Sequence, residues 1–194
     1  PYTNSFESSD NMDGWRLQGN DYKRWINEQN GSNPHSGTGY YYAVPDIYTP
    51  AADWLFSCGF KLKAGVNYKV DFWRKVKFAS SPNKLKLCIG NAQEGTAMTT
   101  TIVDLNPVNN AAYQNTTSNF TVPSDGIYYL GWYAYGAANA VMGYMYIDDV
   151  RLMTEYDAGV KSFITPNTGC DLTNAEDVKV IIQNFGTSAI SNFD

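Results

Sequence analysis

The sequence predicts an all-β chain: an antiparallel β-sandwich followed by the opening strands of a second β domain. Three observations predict it. Aromatic residues make up 15% of the 194 residues, with 15 Tyr and 5 Trp, while charged residues are only 17%. Rings and β-branched side chains suit a pleated surface, and the abundant Gly, Asn and Asp suit the turns between strands. Apolar residues recur with period two in short runs closed by turn formers, the mark of strands exposed on one face. No stretch carries the 3.6-residue period of a three-turn helix. A chain of this length fits one full domain with room for part of a second, and buries about two-thirds of its unfolded surface.

The strands follow in order. The first fifty residues are the least regular. Residues 20–35 are polar and carry the turn formers Asn30-Gly31 and Asn33-Pro34, so they read as a long surface loop. Residues 55–62 form an apolar run between Ala51-Ala52-Asp53 and Lys63-Ala64-Gly65. Residues 67–77 alternate cleanly, with Tyr68, Val70, Phe72 and Arg74 on one face and Lys69, Asp71, Trp73 and Lys75 on the other. In 84–90, Leu85, Leu87 and Ile89 oppose Lys84, Lys86 and Cys88. Further strands are expected at 98–105, 118–122, 127–135 and 140–152, with Pro123-Ser124-Asp125-Gly126 a turn between two of them. Many short antiparallel strands with this punctuation make a sandwich or barrel.

A domain boundary falls near Glu155. Asp157-Ala158-Gly159-Val160 opens a new strand, residues 166–169 turn, and 178–184 alternate again. About three strands cannot close a sandwich alone. Residues 1–154 are therefore expected to form one domain and 155–194 the front of an Ig-like one.

Composition narrows the function. A net charge of -5 with scattered Lys and Arg does not suit nucleic acid or anionic membrane, which need a clustered basic face. No apolar run reaches the ~20 residues of a membrane helix. The three cysteines, Cys58, Cys88 and Cys170, are too few and odd in number for a disulfide framework, and spacing does not establish a Cys58–Cys88 bridge. The chain opens at Pro1, as expected of a mature exported protein.

Catalysis finds little support. The single histidine, His35, lies in a turn-rich loop without a nucleophile elbow, and a Ser–His–acid triad has no other histidine to use. The acids Glu28, Asp46, Asp53, Asp71, Glu94 and Asp104 show no spacing that selects a glycosidase pair. Gly37–Tyr42 lacks the Lys-Ser/Thr of a phosphate loop.

Two features point to binding. In Tyr144-Met145-Tyr146-Ile147-Asp148-Asp149-Val150-Arg151-Leu152, Asp148 shares a strand face with Tyr146, Val150 and Leu152. A carboxylate among core residues is costly unless paired or bound to a cation. Glu7 follows an apolar strand residue at the other end of the chain. A sandwich closed by its first and last strands would bring Glu7 and Asp148 together on one Ca²⁺ through hard oxygen ligands, unless Asp148 and Asp149 are simply solvated strand-end acids. Second, Tyr40-Tyr41-Tyr42 and Trp132-Tyr133-Ala134-Tyr135 are too dense for an alternating strand to bury every ring. Their exposed members are candidates to stack on sugars or anchor a protein partner, against the plainer reading that most are core or strand-pairing residues.

Taken in order, Ser5-Phe6-Glu7 with Asp13-Gly14-Trp15, Ala52-Asp53-Trp54-Leu55-Phe56, Phe60-Lys61-Leu62-Lys63-Ala64-Gly65-Val66-Asn67-Tyr68, Gly126-Ile127-Tyr128-Tyr129-Leu130-Gly131-Trp132 and Tyr146-Ile147-Asp148-Asp149-Val150 resemble the cleaved-adhesin or choice-of-anchor J family. The likeness covers residues 1–154. It implies an antiparallel jelly-roll sandwich of secreted and surface proteins of Bacteroidetes-type bacteria, akin to carbohydrate-binding modules and often holding structural Ca²⁺. By motif, Glu7 and Asp148 would be metal ligands, with Asp53 and Asp149 as further candidates. The motif here has one acid before Trp54 where many relatives show two, and Phe56-Ser57-Cys58 replaces a more usual Ser/Thr-Pro pair. No catalytic residues come with the resemblance. The expectation is a monomeric, extracellular or cell-surface, non-enzymatic module that binds a glycan or a host or cell-surface protein. Tyr40, Tyr41, Tyr42, Trp132, Tyr133 and Tyr135 are its candidate ligand residues. The alternatives are a structural spacer and, last, a glycoside hydrolase.

Overall fold

The computed structural model describes residues 1–19, 25–44, 50–136, 143–165, 175, 177–186 and 188–191. Their strands are β1 (Tyr2–Asn4), β2 (Arg16–Gln18), β3 (Trp25–Gln29), β4 (Gly39–Ala43), β5 (Ala51–Phe56), β6 (Phe60–Leu62), β7 (Tyr68–Val76), β8 (Asn83–Gly90), β9 (Thr100–Val108), β10 (Gln114–Phe120), β11 (Gly126–Gly136), β12 (Met145–Thr154), β13 (Ala158–Thr165) and β14 (Lys179–Asn184). One 3-10 turn, Gly95–Ala97, precedes β9.

The first twelve strands form two antiparallel sheets. One runs β10-β7-β12-β4-β3, with β1 also paired to β12; the other runs β2-β5-β11-β8-β9, with β6 also paired to β11. This is the all-β jelly-roll sandwich the sequence predicts. The first and last strands of the domain are neighbours, with Thr3 opposite Arg151 and Asn4 opposite Val150.

Alternation explains the core. Along β7 the inward residues Tyr68, Val70, Phe72 and Val76 are buried, and Lys69, Trp73 and Lys75 face out. Leu85, Leu87 and Ile89 of β8 and Leu130, Trp132 and Ala134 of β11 fill the opposite side of the same core. Aromatic rings interlock between the sheets. Trp15 lies nearly parallel to Trp132, with centroids 5.8 Å apart, and to Tyr41 at 6.5 Å, while Phe6 meets Trp15 and Tyr41 edge-on. Edge and offset contacts of this kind suit the ring quadrupole.

Several elements differ from expectation. The apolar run 55–62 is two strands. The chain leaves β5 at Ser57, whose N–H donates to the Leu130 carbonyl and whose Oγ accepts from the Leu130 N–H. It re-enters the sheet as β6, beside residues 126–128 of β11. Within the stretch expected to be a loop, 20–35, β3 pairs along β4 with Trp25 in the core. The last strand of the domain starts at Met145 among the described residues, and β13 and β14 pair with each other. Cys58 and Cys88 are free. Asp46, Cys170 and the turn at 166–169 lie outside the described residues.

Candidate functional site

The acids at the two ends of the domain are gathered by one loop. Glu7 accepts from the Thr38 N–H at 3.0 Å, the Gly39 N–H at 3.1 Å and the Thr38 hydroxyl at 2.9 Å. Three residues back along the same loop, the His35 N–H donates to Asp148 Oδ2 at 2.7 Å, and the Ser36 N–H at 3.3 Å. Asp148 Oδ1 accepts the Asp149 N–H. Asp149 bonds His35 Nδ1 at 2.5 Å and the Ser36 hydroxyl at 2.7 Å. Backbone geometry is specialised here. Phe6 and Asp149 have φ of 60° and 48°, and β12 is bulged between Asp148 and Arg151. Such positive-φ residues and bulges concentrate where a side chain is being re-aimed. Gly37, at φ 57°, lies so close to Glu7 that a Cβ there would strike its carboxylate.

The electrostatics separate these acids. Asp148 is fully buried; burial, with the neighbouring Asp149 charge, pushes its carboxyl up to about 7 against three backbone N–H bonds. Burial also raises Asp149 and Glu7, but hydrogen bonds outweigh it and both end below the ordinary range. They come from His35, Ser5 and Ser36 at Asp149, and from Gly39 and Thr38 at Glu7.

The residues present fit a hard cation in part. Glu7 and Asp148 offer oxygen donors, and no Lys or Arg is ion-paired with either among the described residues. The four expected acids do not, however, form one cluster. Among the described residues no three His, Cys, Asp or Glu side chains come together as a metal site. Asp53 is on β5 in the opposite sheet, where its carbonyl accepts the Trp25 indole N–H, and Asp149 is turned to His35 and Ser36. His35 also stacks on Trp73, with centroids 3.8 Å apart. The lone histidine thus ties loop to sheet.

The rings divide by face. Tyr41 and Trp132 are in the core, 8% and 0% exposed, because their strand positions point between the sheets, so neither reaches a ligand. Tyr40 points outward, yet it is 4% exposed because the loop at Gly31 lies against its hydroxyl. Tyr42 remains half-buried beside Tyr144 and Tyr146. Tyr133 and Tyr135 project from the outer face of the other sheet.

That outer face carries an ordered row. Gln18 is opposite Trp54, Trp54 opposite Tyr133, Tyr133 opposite Lys86, and Lys86 opposite Asp104. Five strands at ~4.8 Å spacing make the row about 19 Å long. Trp54 and Tyr133 stack at 4.3 Å with planes 15° apart, and Tyr133 and Tyr135 lie 5.4 Å apart at 12°. Lys86 Nζ sits 4.8 Å from the Tyr135 ring centre, and the Tyr135 O–H donates to Asp104 Oδ1 at 2.6 Å. Burial, followed by the Asp104 contact, pushes the Tyr135 hydroxyl up to about 12, so it stays a neutral donor. Beside the row, Gln18, Ala52, Trp54, Gly95, Thr96 and Tyr133 line a cavity of about 400 Å³. The sequence reading missed Trp54, Gln18, Lys86 and Asp104 as partners of Tyr133 and Tyr135. The alternation of Ala52, Trp54 and Phe56 against Ala51, Asp53 and Leu55 carried the signal for Trp54.

No protein-family profile and no curated protein sequence matches this chain. Solved structures do. The K1 cleaved adhesin domain of Lys-gingipain from Porphyromonas gingivalis superposes with a TM-score of 0.60 at 16% identity, covering 78% of this chain and 96% of that domain. The CBM22-1 xylan-binding domain of Paenibacillus barcinonensis Xyn10C gives 0.56 at 10% identity over 79% and 92%. TmCBM61, solved with β-1,4-galactotriose, gives 0.54 at 18% identity over 74% and 90%. The chain therefore has the fold of the cleaved adhesin domains of Lys-gingipain, shared with these two carbohydrate-binding modules.

Proposed function

We propose that this chain is a non-catalytic, extracellular carbohydrate-binding module that serves adhesion, and that it holds glycan along the row Gln18–Trp54–Tyr133–Lys86–Asp104. The observation that carries the reading is the stacked Trp54–Tyr133 pair on an outer sheet face, extended by Tyr135 and flanked by amide, ammonium and carboxylate groups. The stacked rings present an apolar strip to sugar C–H groups, and the polar neighbours fix hydroxyls; together they form the mixed lining of a saccharide site. The carbohydrate-binding modules that share the fold support the same reading. A glycan array probed with the intact chain tests it. Binding to one class of oligosaccharide, removed by Trp54→Ala, is the expected result.

The proposal includes one structural Ca²⁺ on Glu7 and Asp148, with backbone and hydroxyl oxygens completing its shell. Bound there, the ion would supply the positive charge that the buried Asp148 lacks. The loop donors at His35, Ser36, Thr38 and Gly39 hold both carboxylates in place for it.

Residues 155–194 are proposed to begin a second, Ig-like domain. Their described strands expose Val160, Phe163, Ile164, Ile181 and Ile182, a surface that a further β layer would cover.

A further inference from the structure

A second pocket lies on the outer face of the other sheet. It measures about 260 Å³ and is lined by Thr3, Ser5, Trp73, Asp149, Val150 and Arg151. This is close to the ~300 Å³ at which small-ligand pockets begin. We propose that it binds a single neutral pyranose ring, independently of the Trp54–Tyr133 row.

The pocket is built by the β12 bulge. Before the bulge, β12 pairs with β4; after it, Val150 and Arg151 pair with β1. Asp149, at φ 48°, sits between the two stretches and lines the pocket. The indole of Trp73 has His35 stacked on one side and also forms a wall of the pocket. Opposite that wall are Thr3, exposed on β1, and Ser5, which hydrogen-bonds the Asp149 carboxylate.

The polar groups are already oriented. Arg151 gives its Nε–H to the buried Asp71 at 2.8 Å, which fixes the guanidinium while its other N–H groups remain half-exposed. A guanidinium has five N–H donors, so most stay free for ligand oxygens. The Asp149 oxygens take donors from His35, Ser5 and Ser36, which leaves one of their four lone-pair sites for a ligand hydroxyl. Donors, acceptors and one flat apolar wall on a small concave surface match a sugar ring, whose hydroxyls donate and accept and whose C–H face is apolar. The charges set the class of sugar. Arg151 is balanced by Asp71, and Asp149 remains beside it, so no cationic surplus exists to favour a uronate.

Ligand-observed saturation-transfer NMR tests the proposal, with the intact chain in calcium and methyl glycosides of glucose, galactose, mannose, xylose and N-acetylglucosamine, plus glucuronate, as probes. In the Trp54→Ala variant, where the row is disabled, a neutral pyranoside should still receive saturation. Thr3→Phe, which fills the pocket from an exposed position, should remove that signal, and Ser5→Val should weaken it. No transfer to any neutral pyranoside in Trp54→Ala overturns the proposal. So does transfer that survives both pocket variants, or glucuronate outcompeting every neutral probe.

Discussion

Trp54 on β5 and Tyr133 on β11 stand directly opposite each other, their rings stacked at 4.3 Å on the outer face of the sheet. On the same strand, one residue back, Trp132 points the other way and is fully buried against Trp15 and Phe72. Adjacent rings thus serve opposite purposes, and substitution separates them. Trp132→Ala should cost about 3–5 kcal/mol of stability, the usual range for emptying a core aromatic site. Tyr133→Ala should cost clearly less and weaken glycan binding instead. Denaturant unfolding of the two variants checks this; equal destabilisation would mean that Tyr133 is chiefly a packing residue.

The buried Asp148 makes a calcium prediction with a pH signature. Its carboxyl is raised from 3.8 to about 7 in the folded chain. The folded state therefore holds a proton that the unfolded state has released between those values, and stability without metal falls as pH rises from about 4 to 7. The loss is on the order of a few kcal/mol. Asp149 is shifted downward, so its contribution is present above its unfolded value and fades only as pH falls below about 4. Melting curves in chelator should drop from pH 5 to pH 7.5, and calcium should restore the loss by binding the folded state. Asp148→Asn should flatten the profile and abolish the calcium response. A melting temperature indifferent to calcium at pH 7.5 would remove the metal from the account.

Gly37 should be intolerant of a side chain. Its φ of 57° and its contact with Glu7 leave no room for a Cβ. Gly37→Ala should lose about 1–3 kcal/mol, the range for strained backbone, and weaken any calcium response because Glu7 is displaced. Thermal melts with and without calcium measure both effects.

The proposed boundary near Glu155 makes its own prediction. Phe163 is 70% exposed and Val160 53%, whereas the core of the first twelve strands is closed. Limited proteolysis should cut after the domain at 154 and leave a protected fragment that still melts cooperatively. Cuts within 1–154 at the same rate would contradict the division.

Much of this fold was legible because alternation is a local property. The faces of β7 and β8 follow from residue order, whereas the pairing of β1 with β12 was expected only of a sandwich closed by its end strands. What stayed hidden depended on partners far along the chain. Ser57 breaks an apolar run only because Leu130 is placed to bond it on both its N–H and its Oγ. The Tyr40-Tyr41-Tyr42 triple had to split its rings between the two faces, but whether Tyr41 or the pair Tyr40 and Tyr42 points inward depends on register with β12 and β3, and a one-residue slip would reverse it. Tyr40 was then covered by the loop at Gly31, which no pattern in the strand foretells. The row itself crosses five strands from Gln18 to Asp104, so its members are scattered over the sequence and join only through pairing.

The most direct test is isothermal titration of the array-selected oligosaccharide into the intact chain and into the Trp54→Ala, Tyr133→Ala and Tyr42→Ala variants. A stacked ring contributes about 0.5–1.5 kcal/mol beyond its buried area. Trp54→Ala and Tyr133→Ala should therefore weaken binding roughly tenfold or more, while Tyr42→Ala, on the opposite sheet, leaves it unchanged. Equal affinity across all four proteins, or loss confined to Tyr42→Ala, would contradict the assignment of glycan to the Gln18–Asp104 row.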